Sequence, residues 1–376
     1  MDHIFTRIAV SSFLASLTLV PIDALAQPAP EKGDFVDEEV LKTKDAVDKR
    51  PEGWDATLSV GASVNFVNNS NFAGQIEGST WTLGANLAGG LDYIGGNNDL
   101  RTTLTINETF TNTPALPIFV STADEIRLEA LYYYTIPQVK WLGPFARAEA
   151  RSSLFPGVDA RAGAPEDLTW VSTDDLDPDN DPATPPPGLE TNSIEDAEGD
   201  AVGESFRLRD PLQPMFLKQS VGAFARPLSR RRLELEIRLG AGAQQVFANG
   251  QFALNDNADT PEIEVQPLQN YQQLGAETAI KASGALAEKR VTYSVLFETL
   301  TPFIQSTDDE RGAIDLTALE LTTKISFKLV EWASLDYQLR VLRQPLLVDG
   351  PQVQNNLLLT FGYTLIEAKP VAEASE

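Results

Sequence analysis

The sequence contains no cysteine, and its one histidine is His3. Without cysteine the chain has no disulfide, no thiolate metal ligand and no residue for the lipid anchor of a lipoprotein. Beyond His3 it also lacks the base of Ser-His-Asp hydrolysis and the imidazole ligands of zinc sites. We therefore predict no catalytic residue and no enzymatic activity. Glu234 and Glu236 are interpreted as strand charges balanced by Arg238, not as a pair of catalytic carboxylates.

Long apolar runs are also scarce. The stretch from Ile8 to Val20 follows Arg7 and precedes Ala24-Leu25-Ala26, a small-x-small pattern. This arrangement predicts a signal peptide at residues 1–26, cleaved after Ala26, because the run is too short to span a bilayer. Beyond Val20 no run approaches the 18 residues of a membrane helix. If the exported chain enters a membrane, it does so as strands.

Positively charged residues are few compared with negatively charged ones. The 29 Lys and Arg face 54 Asp and Glu, which gives a net charge of −25. Nucleic acid is therefore excluded as a partner, since its phosphates need clustered Lys and Arg. Residues 158–213 hold fifteen of the acidic residues against three Arg. This segment is predicted to be a long acidic external loop.

Period-two alternation of apolar and polar residues dominates the chain. Between Leu319 and Leu329 the odd positions are mostly apolar, whereas the even ones are Glu, Thr, Lys, Ser and Lys. Alternation of this kind indicates a strand with one apolar face and one polar face. The same reading along the chain predicts about twelve strands, at 54–67, 80–94, 99–112, 124–136, 142–155, 215–226, 232–248, 270–285, 290–303, 314–329, 333–344 and 354–367.

The predicted connections alternate between short turns and long polar loops. The short ones include Gly95–Asn98 and Val330–Trp332, and the long ones include Asn68–Ser79 and Asn249–Gln269. An even strand number with this alternation is typical of outer-membrane barrels, which have short periplasmic turns and long external loops. We predict an all-β fold, an antiparallel transmembrane up-and-down β-barrel of about twelve strands at residues 54–367. Segment 27–53 is predicted to be periplasmic, and residues 368–376 a disordered tail.

The polar face of the predicted strands would line the lumen. Its charged members are mixed in sign: Arg127, Glu129, Arg147, Glu149, Arg151, Glu234, Glu236, Arg238, Glu320, Lys324, Lys328, Asp336 and Arg340. Such residues can select small polar or ionic solutes in a water-filled pore. They can equally form cross-strand ion pairs that fill the barrel and pass nothing. The sequence leaves both interpretations open.

Aromatic residues and a run of aspartates complete the candidate sites. Barrels carry aromatic girdles at the membrane interfaces, and the predicted periplasmic girdle comprises Trp54, Tyr93, Trp141, Trp332 and Tyr363. In the acidic loop, closely spaced aspartates could contribute oxygen ligands to calcium, although the loop lacks the Gly and Glu of an EF-hand. They are Asp174, Asp175, Asp177, Asp179 and Asp181. The alternative is a solvated, Pro-rich acidic loop that binds no ion. No other cofactor is predicted.

Three stretches carry a family resemblance: LSVGASVNFVNNSNFAGQIEGST at residues 58–80, STADEIRLEALYYYTIP at 121–137 and WLGPFARAEARSSLFPG at 141–157. They resemble a family of uncharacterised exported bacterial proteins regarded as outer-membrane barrels. The resemblance covers about the first third of the exported chain and implies a fold and a location, without catalytic or ligand residues. Together these features predict an outer-membrane protein of a Gram-negative bacterium, with membrane lipid and lipopolysaccharide as its partners. The predicted function is a passive pore, and the alternative is a closed structural or surface-interaction barrel.

Overall fold

The computed structural model describes residues 52–69, 78–164, 168–172, 191–195, 199, 201–256, 260–306, 311–330, 332–348 and 350–366. This part of the chain contains eighteen strands. They are β1 Gly53–Asn69, β2 Gly78–Gly95, β3 Asn98–Thr113, β4 Leu116–Tyr134, β5 Leu142–Ser152, β6 Gly157–Ala162, β7 Trp170–Ser172, β8 Thr191–Glu195, β9 Ala201–Arg209, β10 Met215–Arg230, β11 Leu233–Phe247, β12 Phe252–Leu254, β13 Ile263–Pro267, β14 Tyr271–Leu286, β15 Val291–Gln305, β16 Ala318–Val330, β17 Ala333–Arg343 and β18 Pro351–Ile366. One short 3-10 helix, Ala287–Lys289, connects β14 to β15.

Twelve of the strands close into a barrel in the order β1-β18-β17-β16-β15-β14-β11-β10-β5-β4-β3-β2. Every neighbouring pair is antiparallel, and β1 closes the cylinder against β18. The predicted antiparallel barrel of about twelve strands is therefore confirmed. No helix in the described residues is long and apolar enough to cross a membrane.

Strand β4 begins earlier than the sequence indicated. The prediction placed a loop at Thr113–Ala123, but β4 starts at Leu116 and continues to pair with β3 up to Thr113. Two register shifts interrupt this upper part of the ladder. Each shift breaks the period-two pattern on which the prediction relied, because an extra residue moves the following side chains to the other face. The β3–β4 hairpin extends further than its neighbour β5, which pairs with β4 only up to Ile126.

The two longest connections carry a small domain of their own, which we name the cap. It consists of the sheet β6-β9-β8 and the sheet β12-β13-β7. Strands β7 and β13 come from different connections and pair in parallel. The apolar core of the cap contains Trp170, Phe206, Ile263 and Val265. The segment predicted as an acidic external loop thus carries strands in its described part.

Side chains alternate between the inside and the outside of the barrel. On β5 the charged residues Arg147, Glu149 and Arg151 are buried, whereas Ala148 between them is exposed. Large apolar residues such as Leu357, which is 61% exposed, stand on the outer wall. Apolar residues facing outward and charged residues facing inward are the reverse of a soluble protein, and they suit an outer wall in contact with lipid.

Candidate functional site

A connected set of ion pairs occupies the lumen, and we name it the ion-pair network. Its basic members are Arg101, Arg127, Arg147, Arg151, Lys218, Arg226, Arg238 and Arg340. Its acidic members are Asp99, Glu125, Glu129, Glu149, Glu236, Glu277, Glu298 and Glu320. Eight cations therefore meet eight carboxylates, and the network as a whole is neutral.

Arg147 lies at the centre of the network. Its guanidinium is 2.7 Å from Glu129, 2.7 Å from Glu298 and 3.6 Å from Glu277, and it also pairs with Glu149. The side chain is only 1% exposed. A buried charge is tolerated only where several partners compensate the loss of water, and these four carboxylates provide that compensation.

The network divides the lumen. Arg340 on β17 pairs with Glu125 on β4, although five strand-to-strand steps separate β17 from β4 along the shorter way round the barrel. Arg340 also binds Glu320 at 3.0 Å, and Glu320 in turn binds Arg151 at 3.1 Å. These pairs separate the space beside β5, β10, β11, β14 and β15, which we name the filled side, from the space beside β1, β2, β3, β17 and β18, which we name the open side.

An apolar layer closes the filled side near the short turns. Leu131, Tyr133, Phe145 and Phe224 form one buried cluster of lumen-facing side chains. The Tyr133 hydroxyl donates a hydrogen bond of 2.5 Å to Glu236, and the guanidinium of Arg226 lies 4.2 Å from the Tyr133 ring. Tyr133 therefore binds an anion through its hydroxyl and a cation through its ring.

A second apolar layer closes the filled side near the long loops. Phe216, Val246 and Tyr271 on β10, β11 and β14 pack against Leu268 and against Leu347. Leu347 belongs to the connection from β17 to β18, so this loop reaches from the opposite wall of the barrel. The filled side is thus a packed core with its charges in the middle and apolar residues at both ends.

Two cavities lie along the open side, and the lower one also reaches β11, β14 and β15. The upper cavity, of about 520 Å³, is lined in part by Gln352, Gln354 and Asn356 and by residues of the cap. The lower cavity, of about 280 Å³, extends toward the short turns past Thr57, Ser59 and Thr103. Amides and hydroxyls are the largest group among the lining residues, and they exchange hydrogen bonds with water at little cost. Charged side chains also line both cavities, eight in the upper one and ten in the lower one.

The two cavities share nine lining residues, which we name the ring. The ring consists of Asn86, Thr105, Asn107, Arg127, Thr322, Lys324, Asp336, Gln338 and Thr360. Three of its members are charged. Arg127 binds Glu149 at 2.8 Å, and Asp336 accepts hydrogen bonds from Ser326 and Ser334. The ring therefore offers a largely uncharged passage beside a wall whose charges are paired.

Comparisons with known proteins give fold neighbours only. No family model and no curated protein matches the chain. The translocator domain of autotransporter NalP from Neisseria meningitidis aligns at 9% identity over 87% of this chain and 92% of its own, with a TM-score of 0.33. The COG4313 outer membrane channel from Pseudomonas putida F1 aligns at 11% identity over 85% of this chain and 99% of its own, also at 0.33. The TodX monoaromatic hydrocarbon channel deltaS2 mutant aligns at 10% identity over 84% and 91%, at 0.31.

TM-scores of this size carry no argument about function. The general resemblance to outer-membrane barrels is confirmed in its fold by the closed strand order of the molecule itself.

The structure assigns the predicted lumen residues to four places. Nine are members of the ion-pair network: Arg127, Glu129, Arg147, Glu149, Arg151, Glu236, Arg238, Glu320 and Arg340. Lys324 and Asp336 belong to the ring, and Glu234 lines the lower cavity. Lys328 lies near the short turns, where its backbone N–H donates to Arg290.

The predicted girdle residues are on the outer surface. Trp54, Tyr93, Trp141, Trp332 and Tyr363 are all exposed. Trp54 and Tyr93 lie side by side with ring centroids 5.1 Å apart.

The predicted calcium ligands Asp174, Asp175, Asp177, Asp179 and Asp181 lie outside the described residues. Within the described ranges no group of three or more His, Cys, Asp or Glu is arranged to hold a metal ion.

Sequence reasoning missed several members of the site. Arg226 is the last residue of its predicted strand, and Glu125 is the second residue of its own; neither was assigned to the lumen, although Glu125 shares the parity of Arg127. Phe145 and Phe224 were missed because lumen positions were expected to be polar. The lumen position of Phe145 could have been predicted from the period-two pattern, because Phe145 is two residues from Arg147 and therefore lies on the same face of the strand.

Proposed function

We propose that this protein is an outer-membrane barrel that lets small hydrophilic or ionic solutes pass by diffusion along its open side. The observation that carries the proposal is the pair of cavities that meet at the ring. A solute on this path meets amides and hydroxyls that replace its water contacts, while the filled side keeps the cylinder rigid. The apolar outer wall of the barrel and the predicted signal peptide support the location. The proposal involves no catalytic step.

Charge along the path supports a weak preference between ions. In the ring, Arg127 and Lys324 are positive and Asp336 is negative. The excess positive charge is reduced because Arg127 is paired with Glu149. Selective channels concentrate one sign of charge at their constriction. This ring does not, so size and hydrogen bonding are expected to matter more than the sign of the solute.

A planar bilayer experiment tests the proposal. We expect the purified, refolded protein to give stepwise conductance, and Thr360→Trp to reduce it strongly, because Thr360 lines both cavities at the ring. Leu359→Trp is the matched control, since Leu359 precedes Thr360 on β18 and is exposed on the outer wall. It should fold and conduct as the unmodified protein does. Equal conductance in the two variants would place the path elsewhere.

A second candidate is a closed structural barrel. The filled side favours it, because the ion-pair network and its two apolar layers already occupy much of the lumen. The same bilayer experiment separates the two functions. A protein that is folded and inserted but silent would establish the closed barrel and refute the pore.

A further inference from the structure

Basic residues are concentrated on two adjacent short turns of the barrel. The chain as a whole is strongly acidic, with 54 Asp and Glu against 29 Lys and Arg. Yet the turns β10–β11 and β14–β15 carry five cations and one carboxylate, Glu288. We name these cations the basic turns: Arg230, Arg231, Arg232, Lys289 and Arg290. All five are exposed.

The basic turns form one surface. Strands β11 and β14 are direct neighbours in the barrel, so the two turns lie side by side. The backbone N–H of Ala285 donates to the Arg231 carbonyl at 3.0 Å, and the Tyr293 hydroxyl donates to the Arg232 carbonyl at 2.7 Å. The next turn joins them, because the Lys328 N–H donates to the Arg290 carbonyl at 2.8 Å. The backbone is thus held in place while the charged side chains point into solvent.

An apolar band borders this surface. The exposed residues on the strand ends beside the turns are Leu228, Leu233, Leu286, Leu329 and Trp332. Cations adjoining exposed leucines and a tryptophan match the boundary between lipid headgroups and hydrocarbon, where Trp and snorkelling Arg and Lys are enriched. Like charges this close repel one another, so an anionic partner at this level lowers their free energy.

We propose that the basic turns bind the phosphates of anionic phospholipid headgroups in the leaflet that meets the short-turn end. The inference rests on the proposed membrane location. Arginine favours phosphate because its guanidinium donates two parallel hydrogen bonds to phosphate oxygens. Three consecutive arginines on one turn, joined by a fourth and a lysine on the next, give several such sites within one headgroup layer. The barrel would then gather anionic lipid at one sector of its rim.

Fluorescence quenching by brominated lipids tests this proposal. The emission of Trp332 is obtained as the difference between the protein and its Trp332→Phe variant, both reconstituted in vesicles. We expect brominated phosphatidylglycerol to quench Trp332 at least about twofold more strongly than brominated phosphatidylcholine, with the difference lost at high salt. The variant Arg231→Gln/Arg232→Gln/Arg290→Gln should lose the preference, whereas the corresponding triple Lys variant should keep most of it.

The outcomes are separable. Equal quenching by the two lipids in the unmodified protein would overturn the headgroup site and leave the membrane barrel intact. Quenching by neither lipid in a folded protein would show that Trp332 does not meet hydrocarbon, and would overturn the membrane location as well. If the Gln triple variant keeps the preference, the preference does not come from these side chains, and the assignment to the basic turns is wrong.

Discussion

The filled side and the open side of the lumen are formed by strands of the same kind, but the filled side is packed with ion pairs and the open side contains cavities. On the filled side, charges from many strands meet at hydrogen-bonding distance, with aromatic and aliphatic layers above and below. On the open side, amides and hydroxyls together with charged residues line two cavities of about 520 and 280 Å³. One side has exchanged water for ion pairs, and the other has kept room for water or solute.

The difference between the two sides shows under which condition a region lined by charged side chains can be packed without water. Each buried carboxylate or guanidinium loses several kcal/mol of hydration, which is regained only if its partners are complete. Each charged group of the ion-pair network has at least one partner of opposite sign, which meets most of that condition, and three buried guanidinium nitrogens lack a hydrogen-bond partner: Arg226 Nη2, Arg238 Nη1 and Arg340 Nε. Amides and hydroxyls carry no such requirement, so they can line unfilled space on the open side.

The largest expected effect comes from the centre of the filled side. Arg147→Met should destabilise the folded barrel by about 3–5 kcal/mol, because four carboxylates lose their shared partner in a region closed to water. Denaturant unfolding in detergent or lipid measures the change. Arg147 does not line the two cavities of the proposed path, so the fraction of the Arg147→Met variant that folds should still give ion conductance.

The control for this prediction is Lys140→Met. Lys140 is an exposed cation on the β4–β5 connection, and its replacement should change the free energy of unfolding by less than about 0.5 kcal/mol. A small effect at both positions would mean that the ion-pair network contributes rigidity but little stability. The comparison between the two sides would then lose its energetic basis.

An intermediate effect is expected at the boundary between the sides. Arg340→Ala removes the pairs with Glu125 and Glu320, of which Glu125 is 22% exposed in its side chain. Partial exposure lets water replace part of the lost interaction, so the cost should be about 1.5–3 kcal/mol, less than at Arg147. The upper cavity is lined by both Glu125 and Arg340, and it should widen. Single-channel recording should therefore show a larger unit conductance; an unchanged or smaller conductance would show that this pair does not limit the path.

Much of the barrel could be predicted from the sequence. Each of the twelve predicted strands overlaps an observed barrel strand, because one face of each must be apolar and the other polar, and this leaves a period-two signal. The period-two signal is lost where a strand does not have one apolar face and one polar face. At the top of β3 and β4 the register shifts reset the period. In the cap, strands of three to nine residues are covered by one another, so no two-sided environment marks them.

The division of the lumen could not be predicted. The period-two pattern assigns both Arg147 and Asn107 to the inside of the barrel, but it does not indicate which strands face each other across the closed cylinder. The pair Arg340–Glu125 joins residues 215 positions apart, and nothing local to either residue indicates the other. The two apolar layers depend on the same information, since Leu347 reaches Phe216 only once the barrel has closed.

The smallest expected effects give the sharpest comparison, because the same group is removed on each side. The Ser220 hydroxyl is buried on the filled side and donates to Glu277 at 3.0 Å. Ser220→Ala should therefore cost about 1–3 kcal/mol of unfolding free energy, since the carboxylate loses a hydrogen bond in a region without water. Thr105→Val deletes a hydroxyl that lines both cavities on the open side, where solvent can replace it, and should cost less than about 0.5 kcal/mol. Paired denaturant titrations measure both values. Equal costs at the two positions would mean that water is absent from the open side too, and such a barrel would have no path for a hydrophilic solute.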